Sequence, residues 1–404
     1  MPVPRRSSRS SARRRLMVER LEDRTVPASG LDLTYGTGGS VTSNSGNTDE
    51  AYGSVIDSLG RTVIAGEYWN GTSNDFQLTR YLTNGKMDPS FGNGGKATLS
   101  VFGSNYNEEL RKLAIDTSGR IVAVGVTFNG VQDLVAVVRY NSDGSLDASF
   151  DNDGIVTVQF VGTFNCYAEE VAIDGQGRIV VGVSAFNGAN FDIAACRLLP
   201  NGSLDTSFDS DGKQIYNAGA TETCEGVAID SLDNVILSGF ASTGTGNMLF
   251  VKLTSAGAFD SSFFGGGVRI LSLGGTSYAY DIQVDSSGRY VFGGASYNGS
   301  NYDFIVGRMS ATGALDNSFD GDGLAITSFG TNEYILSIAI DSAGRIVAGG
   351  PVGFNPTRDF GFARYNTNGS LDTTFASSGK GTAPVLAADD FPYDMALDQL
   401  GRVY

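Results

Sequence analysis

The sequence predicts an all-β fold, a β-propeller, and three observations carry that prediction. The first is a phrase that returns in phase. Asp116-Thr117-Ser118-Gly119-Arg120, followed by Ile121-Val122-Ala123-Val124-Gly125, comes back with small changes at Asp57, Asp174, Asp230, Asp285, Asp341 and Asp398. Successive copies are 59, 58, 56, 55, 56 and 57 residues apart, a regularity that sets an architecture before any residue is given a role. The second is the content of one period: four short runs rich in Val, Ile and aromatics, bounded by Gly, Asn or Asp, which read as strands. The third is that no helical spacing of apolar residues persists for a dozen residues. Four-stranded units repeated about seven times form the pattern of a propeller.

Residues 1–28 stand apart from the repeat. The first 30 residues hold eight Arg and three acids, a charge of +5, while the rest of the chain carries 20 basic and 41 acidic residues, or −21. The segment has no apolar run of the length a secretory signal needs, and a basic disordered tail is one reading of it. From residue 29 the repeat takes over. The opening Leu31-Asp32-Leu33-Thr34-Tyr35-Gly36-Thr37-Gly38-Gly39 matches the end of a unit, as in Met87-Asp88-Pro89-Ser90-Phe91-Gly92-Asn93-Gly94-Gly95. Within one unit a first strand is expected over 113–116 and a second over 120–125. After an Asn129-Gly130 turn a third covers 134–140. A long connection through Asp143-Gly144 and Leu146-Asp147 leads to a fourth over 155–160. Near-continuous apolar strands such as 179–183 imply sheets that bury both faces against neighbours. The chain opens on a fourth strand, and its last unit keeps only a first strand and the start of a second, ending at Tyr404. The expectation is a seven-bladed ring of four-stranded blades, the last incomplete at the C-terminus and completed in part by the N-terminal strand, so that 31–45 lie beside 393–404. Two regions follow: the basic segment 1–28 and a propeller over 29–404.

Composition excludes several function classes. Net charge is −16 with an acidic body, which argues against nucleic acid and anionic membranes, since both demand a basic face. There is no histidine, so the commonest general base, the usual zinc ligand and a pH switch of that kind are missing. A serine triad has no base. Gly95-Lys96 lacks the phosphate-loop spacing. Cys166, Cys196 and Cys224 show no C-x-x-C spacing, and their odd number leaves at least one thiol unpaired within a monomer, the expected state.

The run D-x-x-G-R-I-V, then N-G-x-x-D-F, then R-Y-N-x-D-G-S-L-D-x-S-F resembles the delta-60 repeat of bacterial β-propeller proteins. Asp341 to Val347, Arg364-Tyr365-Asn366 and Gly369-Ser370-Leu371-Asp372 carry the likeness, which extends over about residues 29–404. Unit four departs from it: Asp233 and Asn234 replace Gly and Arg, and Lys252 replaces the third-strand Arg. The resemblance implies a fold and an exported location, and no reaction. Separately, Glu19-Arg20-Leu21-Glu22-Asp23-Arg24 with Val26-Pro27-Ala28 resembles an N-terminal motif of large exported bacterial surface proteins, which implies an extracellular or cell-envelope location.

Three sets of residues could carry chemistry. The repeated Asp/Arg pairs, such as Asp57 with Arg61 and Asp116 with Arg120, read as turn formers because they recur in nearly every unit. The D-x-D-G loops, with Asp151 and Asp153, Asp209 and Asp211, Asp320 and Asp322, alternate hard oxygen donors before a glycine, as a calcium loop does. They lack the bidentate Glu of an EF-hand, and other units place Gly, Thr, Asn or Ser there. Acids also recur ahead of each first strand: Asp49, Glu50, Glu108, Glu109, Glu169, Glu170, Glu222, Glu225, Asp281, Glu333, Asp389 and Asp390. The turns after second strands carry Trp69, Phe128, Phe186, Tyr297 and Phe354. A propeller brings both sets to one face, where aromatics with Glu109, Glu169 and Glu170 would suit a cation, a basic peptide or a sugar. The plainer alternative is that the rings wedge between blades while the acids solvate loops.

The function these observations favour is a non-catalytic, exported or envelope-associated binding scaffold with a protein or glycan ligand, without cofactor and without a transmembrane segment. One alternative is a hydrolase or lyase acting on a glycan through carboxylates, which would show as a single unit with a strongly shifted acid or Lys in a cleft. Another is a calcium-stabilised adhesion module.

Overall fold

In the computed structural model the described residues are 16–19, 32, 34–43, 49–103, 106–160, 164–384 and 390–404. They contain no helix. The motif 19–28 lies outside them apart from Glu19.

Six four-stranded antiparallel sheets follow one another along the chain, each strand bonded to its neighbour in sequence. We number them blades 1 to 6. Blade 2 runs through Glu109–Ile115, Ile121–Phe128, Asp133–Tyr140 and Ile155–Val158. The first strands of the other blades are Asp49–Ile56, Cys166–Ile173, Glu222–Ile229, Ser277–Val284 and Ser337–Ile340. Core residues sit between blades rather than inside one. One wedge joins Val122, Val135 and Val137 of blade 2 to Val171, Val181 and Val183 of blade 3, and similar wedges join each successive pair. A sheet with two apolar faces is thereby covered on both.

The expected seventh blade is not present among the described residues, which form six four-stranded blades. The seventh copy of the phrase closes its turn at Asp398 and forms the bridge Leu397↔Val403 and paired backbone bonds between Ala396 and Tyr404, with no third or fourth strand beside it among the described residues. Strand Ser40–Ser43, expected to complete that blade, pairs with Leu16–Glu19 in a separate two-stranded sheet. With Ser40–Ser43 paired there, no strand lies beside the terminal hairpin among the described residues. The terminal stretch still fills space between blades 6 and 1. Met395 and Val403 pack on Val347 and Phe362, and Tyr404 packs on Tyr35, Ile64 and Tyr81.

The repeat motifs explain the mechanics of the ring. In blade 2 the Asp116 carboxylate accepts from the N–H groups of Ser118 and Arg120, both at 2.9 Å, and from Arg120 Nε at 2.6 Å. The same turn closes at Asp57, Asp174, Asp285, Asp341 and Asp398. Deeper, Arg139 donates from Nε to Asp147 at 2.7 Å, from Nη2 to Ser149 at 3.1 Å, and from Nη1 to the Pro200 carbonyl of blade 3 at 2.5 Å. Its guanidinium lies over Phe150, 4.6 Å from the ring centre. Arg197 and Arg308 repeat this staple to Ser255 and Thr367, and Lys252 makes a longer version to Ala311 at 3.2 Å.

The first strands of blades 1 to 5 carry a bulge, with register shifts around Tyr52, Arg111, Glu169, Glu225 and Tyr280. The second strand makes room for it with glycine. A Cβ on Gly294 would lie 1.8 Å from the Tyr278 carbonyl oxygen, and Gly66, Gly125, Gly239 and Gly350 meet the same obstacle. Because the clash is with backbone, a Gly294→Ala substitution must displace the bulge. We expect a loss of about 1–3 kcal/mol, read as a lower denaturation midpoint; an unchanged midpoint would show that the bulge is free to move.

Candidate functional site around the axis

The bulge is where the repeat stops repeating. Five residues before each turn Asp stand Tyr52, Arg111, Glu169, Glu225, Tyr280, Leu336 and Tyr393; four before stand Gly53, Lys112, Glu170, Gly226, Asp281, Ser337 and Asp394. The framework around them is nearly invariant, yet these two tiers differ from unit to unit and gather around the axis.

The upper tier combines aromatic rings with a charge cluster. Arg111 donates to Glu109 at 3.2 Å and is in short contact with Glu169. Burial works against the Arg111 charge, but Glu169 and Glu109 outweigh it and raise its pKa. Glu169, although held by Arg111, is raised by burial. Glu225, which accepts from Thr223 Oγ1 at 3.1 Å, is pushed up to about 8 by burial, with the Glu169 charge adding to the effect. Next to these, Tyr278 and Tyr280 stack with ring centres 5.4 Å apart, and Tyr52 meets Tyr393 edge-on at 5.1 Å.

The lower tier centres on one ammonium. Lys112 Nζ lies 2.9 Å from Asp394 and 3.5 Å from Glu170. Asp394 also accepts from the Ser54 N–H at 2.6 Å, which ties the C-terminal segment to blade 1. Asp281 accepts from the N–H groups of Ile282 at 2.6 Å and Ile338 at 2.7 Å. Burial raises Glu170 to about 7 and Asp281 to about 6, in each case against the attraction of Lys112. Beneath this tier is an axial cavity of about 350 Å³, lined by Lys112, Glu170, Asp281 and Asp394 and reaching Ile229 and Val284, the residues just before two turn aspartates.

The residues singled out from the sequence fall into three places. Glu109 and Glu169 come together at Arg111 in the upper tier, while Glu170 sits in the lower tier beside Lys112; Glu169 and Glu170 keep only 19 % and 14 % of their side-chain surface. Trp69, Phe128, Phe186 and Tyr297 end second strands at the same end of the blades as Glu109, which pairs with Val126. Phe354 lies in the corresponding loop of blade 6. Phe128 packs on Tyr106, and Phe186 on Phe164 and Phe191, whereas Phe354 is 56 % exposed. Glu108, Glu222 and Glu333 are buried loop pins rather than members of a ring; Glu108 accepts from the Val101 and Phe102 N–H groups and from Thr127. Asp389 lies outside the described residues.

Asp151, Asp153, Asp209, Asp211, Asp320 and Asp322 are exposed at loop tips. Asp153, Asp211 and Asp322 each accept from the backbone N–H two residues on, at 2.9 Å, while Asp151, Asp209 and Asp320 have positive φ. Among the described residues no group of three or more His, Cys, Asp or Glu is placed to hold a metal ion. Arg111, Lys112, Asp394 and Tyr280 were missed as site residues. The signal that could have found them is blade-to-blade disagreement at a fixed distance from the turn Asp.

Comparison with known proteins follows the same lines. The family described as "Domain of unknown function (DUF5122) beta-propeller" matches at residues 60–91, 117–150, 177–208, 286–319 and 344–375. Each stretch ends on the Phe that carries the stapling Arg, or its equivalent, and the divergent unit around Asp230 is passed over. No curated protein matches the sequence. Among solved structures, the chain is similar to the periplasmic gluconolactonase PpgL of Pseudomonas aeruginosa, with 12% identity and a TM-score of 0.50 over 94% of this chain and 98% of that one. It is also similar to the PQQ-bound aldose sugar dehydrogenase of Streptomyces coelicolor, with 12% identity and a TM-score of 0.43 over 75% and 88% of the two chains. Sqt1 of Chaetomium thermophilum gives 12% and 0.45 over 87% and 76%. The likeness to PpgL is one of fold. With six four-stranded blades in place, the five matched stretches support a β-propeller repeat family for this chain.

Proposed function

We propose that the protein is a non-catalytic binding module, exported or associated with the cell envelope, that takes a protein or glycan ligand at the channel mouth bearing the upper tier and the aromatic turns. The carrying observation is the contrast between an invariant frame and two individualised axial tiers. A repetitive ring needs a position that breaks its own symmetry before it can present a single-copy site. Trp69, Phe128, Phe186, Tyr297 and Phe354 would border the mouth, and Glu109 and Glu169 would set its charge, with Glu170 in the tier below. No helix among the described residues is long and apolar enough to cross a membrane. Screening the full chain on glycan and peptide arrays tests the reading. A ligand so found is expected to lose at least about tenfold in affinity, about 1.4 kcal/mol, on combining Trp69→Ala with Glu109→Lys; undiminished binding would move the site elsewhere.

A second reading is favoured by Glu225, an acid pushed up to about 8 by burial beside the ion-paired Glu169, because a carboxyl that keeps its proton near neutrality can act as a general acid. It is a carboxylate-dependent hydrolase or lyase acting on a glycan. Release of new sugar ends from an array ligand, lost in Glu225→Gln with binding retained, would establish it; binding without turnover leaves the scaffold reading standing. The calcium-stabilised reading rests on the D-x-D-G loops. Because one carboxylate oxygen of each second Asp already closes its turn, excess EGTA is expected to leave the melting temperature unchanged, and a drop would assign calcium to Asp151, Asp209 and Asp320 with their partners.

A further inference from the structure

The lower tier sets a nitrogen nucleophile against a carboxyl. Lys112 Nζ, from the first strand of blade 2, lies 2.9 Å from Asp394 Oδ1 on the C-terminal segment. The other oxygen, Asp394 Oδ2, accepts from the Ser54 N–H at 2.6 Å and from the Ser54 hydroxyl at 3.2 Å, both in blade 1. Glu170, from blade 3, comes within 3.5 Å of the same Nζ. Three blades and the terminal segment therefore converge on one amine and one carboxyl, both mostly buried. Burial works against the Lys112 charge, but Asp394, Glu170 and Asp281 outweigh it, so the resting pair is ammonium and carboxylate. The two oxygens of Asp394 are not equivalent: one faces the amine and Glu170, the other faces two donors.

We propose that Lys112 and Asp394 condense after folding into an amide between Nζ and Cγ, with Glu170 carrying the protons. One proton passes from Nζ through Glu170 to Oδ1, which leaves a free amine beside a neutral carboxyl. Nζ attacks Cγ, and negative charge gathers on Oδ2, where the Ser54 N–H and hydroxyl already stand as donors. A second proton takes the same route, the Cγ–Oδ1 bond breaks, and that oxygen leaves as water. Glu170 ends in the state in which it began, and the two charges of the pair disappear together, with no oxidant or co-reactant. Glu170, lifted to about 7 by burial against the pull of Lys112, can take and return a proton near neutrality. Holding the two groups in contact makes the step unimolecular, an advantage that reaches about 10⁵–10⁸ M in effective concentration. A buried ion pair carries a desolvation cost that a neutral amide does not. The cavity of about 350 Å³ lined by Ser54, Lys112, Glu170 and Asp394 receives the water. The bond joins positions 282 apart in the chain and clasps the terminal segment to blade 2. It is independent of the channel mouth assigned above, so either can fail without the other.

Intact-mass spectrometry of the full chain, denatured after prolonged incubation of the folded protein at pH 7, tests the proposal. The expected mass is one water below that of the sequence. A tryptic digest should then carry residues 112–120 and 381–402 as one branched peptide. Lys112→Arg keeps a cation in the tier without an amine that can condense, and should show the full mass and no branch. Glu170→Gln, which cannot relay a proton, should slow the appearance of the branch at least about a hundredfold. The unmodified chain carries the decision, so a variant that fails to fold does not obscure it. Full mass in the unmodified protein would overturn the proposal. So would loss of water without the branch, as an Asp-Gly turn such as Asp143-Gly144 gives on closing to a succinimide, or a branch that forms in Glu170→Gln at the unmodified rate.

Discussion

Arg139→Ala is expected to cost about 3–5 kcal/mol, the range for removing one partner of a buried ion pair. The residue is 2 % exposed, and three separate groups depend on it: the Asp147 carboxylate, the Ser149 hydroxyl and the Pro200 carbonyl. Its loss leaves a carboxylate at 6 % exposure without its main cation and opens a gap over Phe150. Because Pro200 follows the third strand of blade 3, blades 2 and 3 should separate more easily. Arg120→Ala is the control. Its side chain keeps 31 % of its surface, and a pair of that kind contributes about 0–1 kcal/mol. Arg139→Lys should fall between, since Lys252 occupies the same place in blade 4 and still reaches Asp260 at 2.9 Å and the Ala311 carbonyl. Denaturant midpoints check the series; equal shifts for Arg139→Ala and Arg120→Ala would remove the staple from the account.

Lys112→Met should have an effect of similar size, but one that depends on pH. Above pH 8 the substitution leaves Glu170, Asp281 and Asp394 ionised around an empty centre, at a cost of about 3–5 kcal/mol. Near pH 5 the cost should be much smaller, because carboxyls already raised to about 7 at Glu170 and about 6 at Asp281 take up protons instead. The unmodified protein should show the same sign. An acid whose folded pKa lies above its unfolded value stabilises most below the unfolded value, and that contribution is lost as pH rises through the folded one. For Asp281 and Glu170 the loss falls between about pH 4 and 7, and for Glu225, raised to about 8, it continues to that pH. Melting temperature should therefore decline from pH 5 to pH 9. Glu225→Gln should flatten the upper part of that decline, and Lys112→Met should steepen it. A Lys112→Met shift that is the same at pH 5 and pH 9 would show that the lower tier is not electrostatically coupled.

Much of the frame could be read directly from residues. The turn role of Asp116 and its copies, the order of four strands in a unit and the stacking of apolar sheets follow from short-range chemistry repeated in phase and appear in the structure as expected. The boundaries do not all hold: the first strand, expected over 113–116, runs Glu109–Ile115 through its bulge, and the second, expected over 120–125, runs Ile121–Phe128. The number of complete blades did not follow, because a phrase can recur without strands pairing beside it: Ser40–Ser43, expected to join the last unit, pairs with Leu16–Glu19. Glu109, Glu169 and Glu170 were recognisable as acids of interest, yet their neighbours determine whether they solvate a loop or line a channel.

Period, turn chemistry and alternation of apolar strands are local properties, so the amino-acid order alone was enough to determine a ring-like stack of four-stranded sheets. Which side chains meet on the axis depends on the bulges, and on a C-terminal segment that brings Asp394 to Lys112 across 282 positions of chain. Charges that distant in sequence acquire shifted pKa values only when packing removes water from around all of them together, and that is a property of the folded ring.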